Sequence, residues 1–402
     1  MPAPAMSTKD FGGRFTRHFA RVTTSGRLIT EIDGLRFIAI SGILLYHGMQ
    51  QIAARNGVSA AFATHEGIDR AVMWLLSQGR FGVQFFFVIS GFILGQQYSE
   101  NHHRGLPRLD LKHFYLRRLT RLEPPYVVNL LLSYLLVGTL FTLGLRAKGA
   151  GFADLLPHLG ASLVYLHGFI YQDLSAVNGV AWSLEVEAQF YVLMPLFATL
   201  IYLIRSNSRR NFTLVAVIVI HGLFIGRYDG SAWYMDYSLA GYLSYFVTGI
   251  LLADLHSANP DWRNRSRIGW DLAAVGALGV GLASERYLGY VGHFPLLFGL
   301  VCQAALCGRF LKRVLRFAPI WIVGGMCYTI YLYHMWIIGL GAQALRFAYR
   351  PGHPFWVNFC SLFPVIAVAV VLICAVFYLL LERPCMRRDW PERLLRRKWL
   401  NS

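Results

Sequence analysis

The stretch GLRFIAISGILLYHGMQQIA, residues 34–53, decides the fold, because its twenty residues contain only one charged side chain, Arg36. A helix of about 20 mostly apolar residues is long enough to cross the hydrocarbon core of a bilayer. Nine further stretches share this character. In chain order, the ten are 34–53, 81–98, 121–143, 183–204, 211–226, 238–255, 268–284, 293–308, 319–345 and 356–381. The sequence therefore predicts an all-α polytopic membrane protein with about ten transmembrane helices.

The composition of the whole chain agrees with this fold class. Its 402 residues are 55% hydrophobic and only 15% charged, whereas a soluble globular chain carries about 25% charged residues. A water-soluble enzyme, a disordered chain and a coiled coil are excluded. The net charge of +17 would suit a nucleic-acid partner only if it lay on a soluble face. Most basic residues instead lie between apolar stretches, so we expect no nucleic-acid partner.

The positions of the basic residues orient the helices, since Lys and Arg concentrate in cytoplasmic loops. With both termini in the cytoplasm, 28 of the 38 Lys and Arg residues lie on the cytoplasmic side. An eleventh stretch, 155–171, is short and contains Pro157 and Gly160. A full crossing there would turn the later basic loops outward. We therefore predict an outer excursion over 144–181 that re-enters the membrane at most.

The chain divides into a basic cytoplasmic segment, 1–33, a single membrane domain, 34–381, and a basic cytoplasmic tail, 382–402. We expect no cleavable signal peptide, because a long polar and basic stretch precedes the first apolar one. We also expect no second soluble domain. The six Cys residues indicate no disulfide framework, since five lie inside apolar stretches.

Titratable groups inside spans are costly and therefore mark candidate functional sites. Arg36 and His47 are eleven residues apart, so they share one helix face with an offset of about 20° and a separation of about 16 Å. This favours a polar track with His47 as a functional group. The structural alternatives are a membrane-surface anchor for Arg36 and a buried histidine bonded to a backbone carbonyl for His47.

Two further spans carry candidate residues. Ser90 and Gly91 interrupt an apolar helix, where small residues also allow helices to pack closely; we interpret Ser90 as lining a substrate path. In the stretch that begins at Trp182, Glu185 is explained by the helix dipole. Glu187 lies deeper in the helix and is the better functional candidate.

Three arginines, Arg117, Arg118 and Arg121, lie where the cytoplasmic loop enters the third span. Such residues obey the positive-inside rule, but arginine is also suited to bidentate phosphate binding. Near the end of the chain, His334 lies inside a span among tyrosines. His158 and His167 are isolated in sequence and are interpreted as structural. No spacing of His, Cys and Asp resembles a metal site.

The chain resembles the acyltransferase-3 family of integral membrane O-acyltransferases. The resemblance covers nearly the whole chain through six motifs in order. They are Asp33-Gly-Leu-Arg36 with His47; Phe85-Phe-Phe-Val-Ile-Ser90-Gly91-Phe92; Arg118-x-x-Arg121 with Pro124-Pro-Tyr126; Trp182-Ser-Leu-x-x-Glu187-x-x-Phe190-Tyr191; Tyr331-Leu-x-His334; and Glu382-Arg-Pro384. Gln84 and Cys327 depart from residues that are common in the family.

This resemblance implies transfer of an acyl group, often acetyl, from cytoplasmic acyl-CoA to a hydroxyl, without a metal. Family acceptors include lipopolysaccharide, exopolysaccharide, peptidoglycan, Nod factors and macrolides. We expect His47, Arg36 and Glu187 to be catalytic. Arg117, Arg118 and Arg121 would bind the phosphates of the donor, and Ser90, Trp182 and His334 would line the substrate path.

The implied location is the bacterial inner membrane, and the implied partners are a glycan or glycolipid acceptor and membrane lipids. The chain could also form a homo-oligomer. His47 would act either as a general base or as an acyl carrier, and the residues do not choose between these roles. The alternatives for the whole chain are a transporter of acyl groups or small molecules, a sensor or scaffold that binds an acyl donor, and O-acylation of a small secreted metabolite.

Overall fold

The computed structural model describes residues 19–22, 28–107, 109–144, 151–225, 233–288, 293–387 and 390. Regular structure in these ranges is entirely helical, with no strand. In chain order, the α-helices are α1 Thr30–Arg55, α2 Gly67–Ser77, α3 Gly82–His103, α4 Leu111–Thr142, α5 Phe152–Leu163, α6 His167–Tyr171, α7 Trp182–Leu203, α8 Asn207–Ile225, α9 Trp233–Asp236, α10 Leu239–Ala258, α11 Ile268–Leu288, α12 Phe294–Cys307, α13 Phe310–Leu315, α14 Ala318–Gly325, α15 Cys327–Ala344, α16 Phe355–Phe377 and α17 Arg383–Cys385. The predicted class, an all-α multi-pass membrane protein, is confirmed.

The predicted number of spans differs slightly from the structure. Seven helices of the described residues are long and apolar enough to cross a membrane, or eight if one bent pair counts as a single span. The ten predicted stretches are largely helical. The stretch 319–345 is divided between two helices, 293–308 lies in a helix of only 14 residues, and 268–284 is not among the seven.

The bent pair is α14 and α15, predicted as one span over 319–345. Their axes differ by 76°, and Met326 leaves helical geometry between them with φ −91° and ψ 6°. A Cβ atom on Gly324 would lie 1.7 Å from the carbonyl oxygen of Asp33. The end of α14 therefore lies against the backbone of α1, and the chain turns immediately after this contact.

The described residues form two compact units. The first, which we call the Glu187 unit, contains Gln84–Leu119 and Tyr126–Val314. The second, the His47 unit, contains the chain up to Val83, the segment Thr120–Pro125 and the chain from Leu315 onward.

Side-chain caps define several helix ends. Asp110 accepts a hydrogen bond from Lys112 N at 2.9 Å and begins α4. In the His47 unit, Asp69 of α2 accepts hydrogen bonds from the first two backbone amides of α16, Phe355 N at 2.9 Å and Trp356 N at 2.8 Å. Amides in the first turn have no partner within their own helix, so this carboxylate fixes where α16 begins.

The predicted outer excursion forms two short helices, α5 and α6, and neither qualifies as a membrane span. Glu185 of α7 accepts a hydrogen bond from Gly168 N at 2.9 Å and ties α6 to α7 within the Glu187 unit. This contact, which the sequence did not indicate, gives the buried Glu185 a structural role.

In the Glu187 unit, α3 and α10 cross with their backbones in contact. A Cβ atom on Gly91 would lie 2.2 Å from Phe246 O, and one on Gly249 would lie 2.2 Å from Val88 O. Gly91 is therefore a close-packing residue, which was one of the two sequence interpretations. Ser90, its neighbour on α3, is placed by this crossing.

We expect Gly249→Ala to destabilise the protein by about 1–3 kcal/mol, because the added methyl group overpacks the crossing of α3 and α10. Thermal unfolding of the detergent-solubilised protein measures the effect. The matched control is Gly276→Ala on α11, where an added Cβ meets no atom within 4 Å. Equal unfolding midpoints for the two variants would contradict the close crossing.

Candidate functional site

His47 and His334 lie side by side in the His47 unit. The centroids of their imidazole rings are 5.2 Å apart, with the ring planes inclined by 43°. His47 lies on α1 and His334 on α15, the second half of the bent pair. Two residues that are far apart in sequence, both predicted as site residues, therefore meet at one place.

Hydrogen bonds fix the tautomer of each imidazole. Nδ1 of His47 lies 3.1 Å from Oε1 of Gln50, which in turn donates from Nε2 to the hydroxyl of Tyr46 at 2.9 Å. Because Oε1 only accepts, Nδ1 of neutral His47 carries the proton. Nε2 of His47 therefore carries the lone pair that a base or nucleophile requires.

His334 is held in the same tautomer by its own helix. Its Nδ1 lies 3.1 Å from Ile330 O and 2.7 Å from Tyr331 O, and a carbonyl can only accept. The side chain has no exposed surface. Its Nε2 is buried with no hydrogen-bond partner among the described residues.

A cluster of charges surrounds the N-terminal end of α1, in the same unit. Asp33 accepts hydrogen bonds at Oδ1 from Arg36 at 2.6 Å and from Arg21 at 3.4 Å. Arg121 interacts electrostatically with both Asp33 and the buried Glu382. We call these five residues the arginine cluster.

Glu382 is fixed inside the arginine cluster by Thr329 of α15. Its Oε2 accepts hydrogen bonds from Thr329 Oγ1 at 2.6 Å and from Thr329 N at 3.2 Å. The three arginines outnumber the two carboxylates, and Nε of Arg21 is buried without a hydrogen-bond partner in the described part of the chain. The cluster therefore carries a net positive charge and a spare donor, which suits an anionic group.

Glu187 lies at the centre of a second polar group, in the Glu187 unit. Its Oε1 accepts hydrogen bonds from the hydroxyls of Ser90 and Tyr191. Arg118 lies in the same unit, 3.7 Å above the ring centroid of Phe114 and 5.6 Å from that of Tyr191. Its charge also acts on Glu187. Ser90 thus orients a carboxylate, a role that the sequence did not indicate.

The remaining predicted residues occupy different surroundings. Trp182 packs against the rings of Phe87 at 6.4 Å and Tyr242 at 5.5 Å, forming an aromatic wall in the Glu187 unit. The guanidinium of Arg117 donates from Nε to His113 O at 3.0 Å on its own helix. Arg118 and Arg121 are assigned to different units, although their spacing suggested one shared role.

Sequence reasoning missed several partners. Asp33 and Gln50 each lie three residues from a predicted site residue on α1, so helix geometry could have identified both. Tyr191 lies four residues after Glu187 in the same way. Glu382 gave no local signal for its contact with Thr329, because the two are 53 residues apart. No group of three or more metal-ligating side chains occurs in the ranges that the structure describes.

The two histidines of the outer excursion are also paired. Nδ1 of His158 lies 2.8 Å from Nε2 of His167, and both rings pack against Tyr171. Although they are isolated in sequence, the two residues meet because α5 and α6 fold back on each other. Burial lowers the pKa of His167 below 6.5, and His158 lowers it further, while Asp173 acts in the opposite direction.

The fold and the site define an all-helical multi-pass membrane protein with two adjacent imidazoles and an arginine cluster built around two buried carboxylates. The acyltransferase-3 family model, described as an acyltransferase domain, matches residues 29–379. The chain therefore belongs to the acyltransferase-3 family of membrane O-acyltransferases.

The chain is also similar to individual O-acetyltransferases. It is 27% identical over 365 residues to the O-acetyltransferase OatA of Staphylococcus aureus (strain NCTC 8325 / PS 47), a match that covers 83% of this chain and 53% of that protein. It is 29% identical over 243 residues to a putative O-acetyltransferase of Staphylococcus aureus (strain COL), covering 57% of this chain and 35% of that protein. The chain thus spans about half the length, or less, of these curated relatives. No solved structure matches it.

We expect the α5–α6 hairpin to loosen as the pH falls below about 6.5, because the unfolded hairpin then binds a proton that native His167 does not. The contribution of neutral His167 to the stability of the hairpin is therefore fully present above about pH 6.5 and is lost as the pH falls. Hydrogen exchange of the 152–171 amides at about pH 7.5 and about pH 5.5 measures it. His167→Gln is the control and should lose the pH dependence. Equal protection of the wild type at both pH values, after correction for intrinsic exchange, would contradict the prediction.

Proposed function

We propose that this protein transfers an acetyl group from cytoplasmic acyl-CoA to a hydroxyl of a cell-surface or exported glycan. The observation that carries the proposal is the contact of His47 with the buried His334, in which Nε2 of His47 is left as a basic nitrogen. The names of the O-acetyltransferase relatives support acetyl as the acyl group. Glycan as the acceptor class rests on the family resemblance.

His47 is the reacting group in this proposal. Its Nδ1–H is held by Gln50, so Nε2 can take a proton from the acceptor hydroxyl or attack the thioester carbonyl itself. Both routes need neutral His47 with its proton on Nδ1, and the hydrogen bond to Gln50 stabilises this tautomer. Gln50 is therefore a positioning residue that acts through His47.

The arginine cluster is the proposed site of the donor phosphates. Arg36 belongs to it, and the α1 geometry separates Arg36 from His47 by about 16 Å, a distance suited to the flexible pantetheine arm of CoA. Arg117 and Arg118 are proposed as further phosphate contacts along the donor path. Asp33 and Glu382 hold the cluster together and offset part of its positive charge, which leaves an excess of one arginine for an anionic group.

The Glu187 unit is the proposed source of acceptor contacts. The Glu187 carboxylate, oriented by Ser90 and Tyr191, is suited to hydrogen bonding with sugar hydroxyls. The wall of Trp182, Phe87 and Tyr242 offers apolar rings, which line small-molecule sites in general. The outer excursion over 144–181 is proposed to contribute to acceptor choice, because loops on a rigid scaffold commonly carry specificity.

We place the protein in the bacterial inner membrane with both termini in the cytoplasm, on the distribution of Lys and Arg. A cytoplasmic donor and an acceptor on the opposite side then give a reason for building the catalyst across a membrane. Membrane lipids and a glycan or glycolipid are its proposed partners, and a homo-oligomer is compatible with the same arrangement.

We expect His47→Ala to abolish acetylation, because neither route proceeds without its Nε2. The measurement is the content of O-acetyl esters in glycans extracted from cells that express each variant, by NMR and mass spectrometry. Membrane levels of each variant are compared by immunoblot. His65→Ala, a histidine in the loop before α2, is the control and should behave as the wild type.

Each possible outcome of this experiment is informative. Esters that persist in a well-expressed His47→Ala variant would show that His47 is structural. No glycan ester with the wild type would turn attention to small secreted metabolites as acceptors. If purified wild-type protein also consumed no acetyl-CoA, a transporter would become the better interpretation.

We expect Arg121→Gln to weaken CoA binding by about 10–100-fold, since a hydrogen bond to a charged group contributes about 1.5–3 kcal/mol. Isothermal titration of the purified protein with CoA measures the affinity. Arg309→Gln, an exposed arginine between α12 and α13, is the control. Unchanged affinity in Arg121→Gln, with wild-type thermal stability, would place the donor elsewhere.

A further inference from the structure

His334 has a free basic nitrogen that its structural role does not require. Its Nδ1–H is fully used by the carbonyls of Ile330 and Tyr331, and this bond alone would anchor the ring. Nε2 is then an obligate acceptor, buried without a partner among the described residues. A buried polar atom without a partner costs about 1–3 kcal/mol, so its retention inside a membrane helix points to a ligand that supplies a hydrogen.

The neighbouring imidazole cannot satisfy this atom in the resting state. Neutral His47 uses its only N–H on Gln50, so both rings present a lone pair at Nε2. Two such lone pairs repel, whereas a molecule that carries a hydroxyl can donate to one of them. Single-step transfer needs only one base, while a two-step route needs both a nucleophile and a base.

We propose that His334 is a second catalytic residue, the general base that removes the proton of the acceptor hydroxyl while His47 carries the acyl group. This inference rests on the proposed acyl transfer and assigns its route. An acylated His47 has lost the lone pair at Nε2, so it cannot serve as its own base. His334, whose ring centroid lies 5.2 Å from that of His47, retains a basic lone pair.

The chemistry balances without deprotonating Nδ1 of either ring. First, Nε2 of His47 forms a bond to the thioester carbonyl carbon, and the carbon–sulfur bond breaks with its electron pair leaving on the CoA thiolate. Next, the acceptor oxygen bonds to the same carbon, its proton moves to Nε2 of His334, and the carbon–nitrogen bond breaks to restore neutral His47. The proton on His334 finally passes to the CoA thiolate and gives the thiol.

Two amide substitutions separate this role from a structural one. The amide nitrogen of Asn reaches the position of Nδ1 and can donate to the same carbonyls, but Asn offers no basic nitrogen. The amide of Gln reaches the position of Nε2 and leaves the carbonyls without a donor. A purely structural His334 therefore tolerates Asn better than Gln, whereas a catalytic His334 loses acyl transfer with either residue.

The experiment uses the full chain in nanodiscs with radiolabelled acetyl-CoA, followed by a rapid quench at neutral pH. It measures label on the protein, located by peptide mass spectrometry, and release of free CoA. We expect His334→Asn to fold, to accumulate label on His47, and to release CoA beyond the first turnover at least about 100-fold more slowly than the wild type. The double variant His47→Ala/His334→Asn should carry no label.

Other results would overturn the assignment. Wild-type turnover in His334→Asn would make His334 structural, and a folded variant without label would place its action before acylation. If His334→Asn fails to fold, His334→Gln is measured in the same way, with His65→Asn as the control. Failure of the proposed acyltransferase function can be distinguished from failure of the His334 assignment. In that case the wild type would form no glycan ester in cells and release no CoA.

Discussion

The hydrogen-bonded ion pair between Asp33 and Arg36, 2.6 Å long, anchors the helix on which the site depends. Asp33 is almost fully buried, and a charge at that depth is stable only with its partners in place. The backbone at the same position is in contact with α14, at Gly324. A side-chain ion pair and a backbone contact thus fix one end of α1. The rigidity of the helix then sets the position of His47 about three turns further on.

The need to satisfy buried polar groups also orders the two imidazoles, but here it leaves one nitrogen of each ring without a proton. Each ring has its Nδ1–H satisfied locally, at Gln50 for His47 and at backbone carbonyls for His334. These hydrogen bonds at Nδ1 hold each ring in one tautomer. They leave Nε2, the reactive nitrogen, directed away from the helix that carries the ring. The two imidazoles are thus ordered without a carboxylate in contact with either ring among the described residues. Two buried carboxylates of this unit, Asp33 and Glu382, lie instead in the arginine cluster.

Much of the fold could be predicted from hydropathy, because the predicted apolar stretches are largely helical. The break at Met326 could not, since it depends on the contact between Gly324 and α1, almost three hundred residues away in sequence. The shared face of Arg36 and His47 follows from helix periodicity, and so does the partner Gln50. Contacts such as Ser90 with Glu187, 97 residues apart, require tertiary structure. For the same reason, the assignment of Arg118 and Arg121 to different units could not be read from their spacing.

The proposed two-histidine route has a consequence for catalysis across a membrane. The acyl group moves from sulfur to oxygen, while one proton moves from that oxygen to the sulfur through His334. The exchange of an acyl group for a hydrogen carries no net charge. The membrane potential acts only on displaced charge, at about 2.3 kcal/mol per elementary charge for 100 mV, so it neither drives nor opposes the overall transfer. The charged intermediates, a thiolate and an imidazolium, then exist only transiently within the protein.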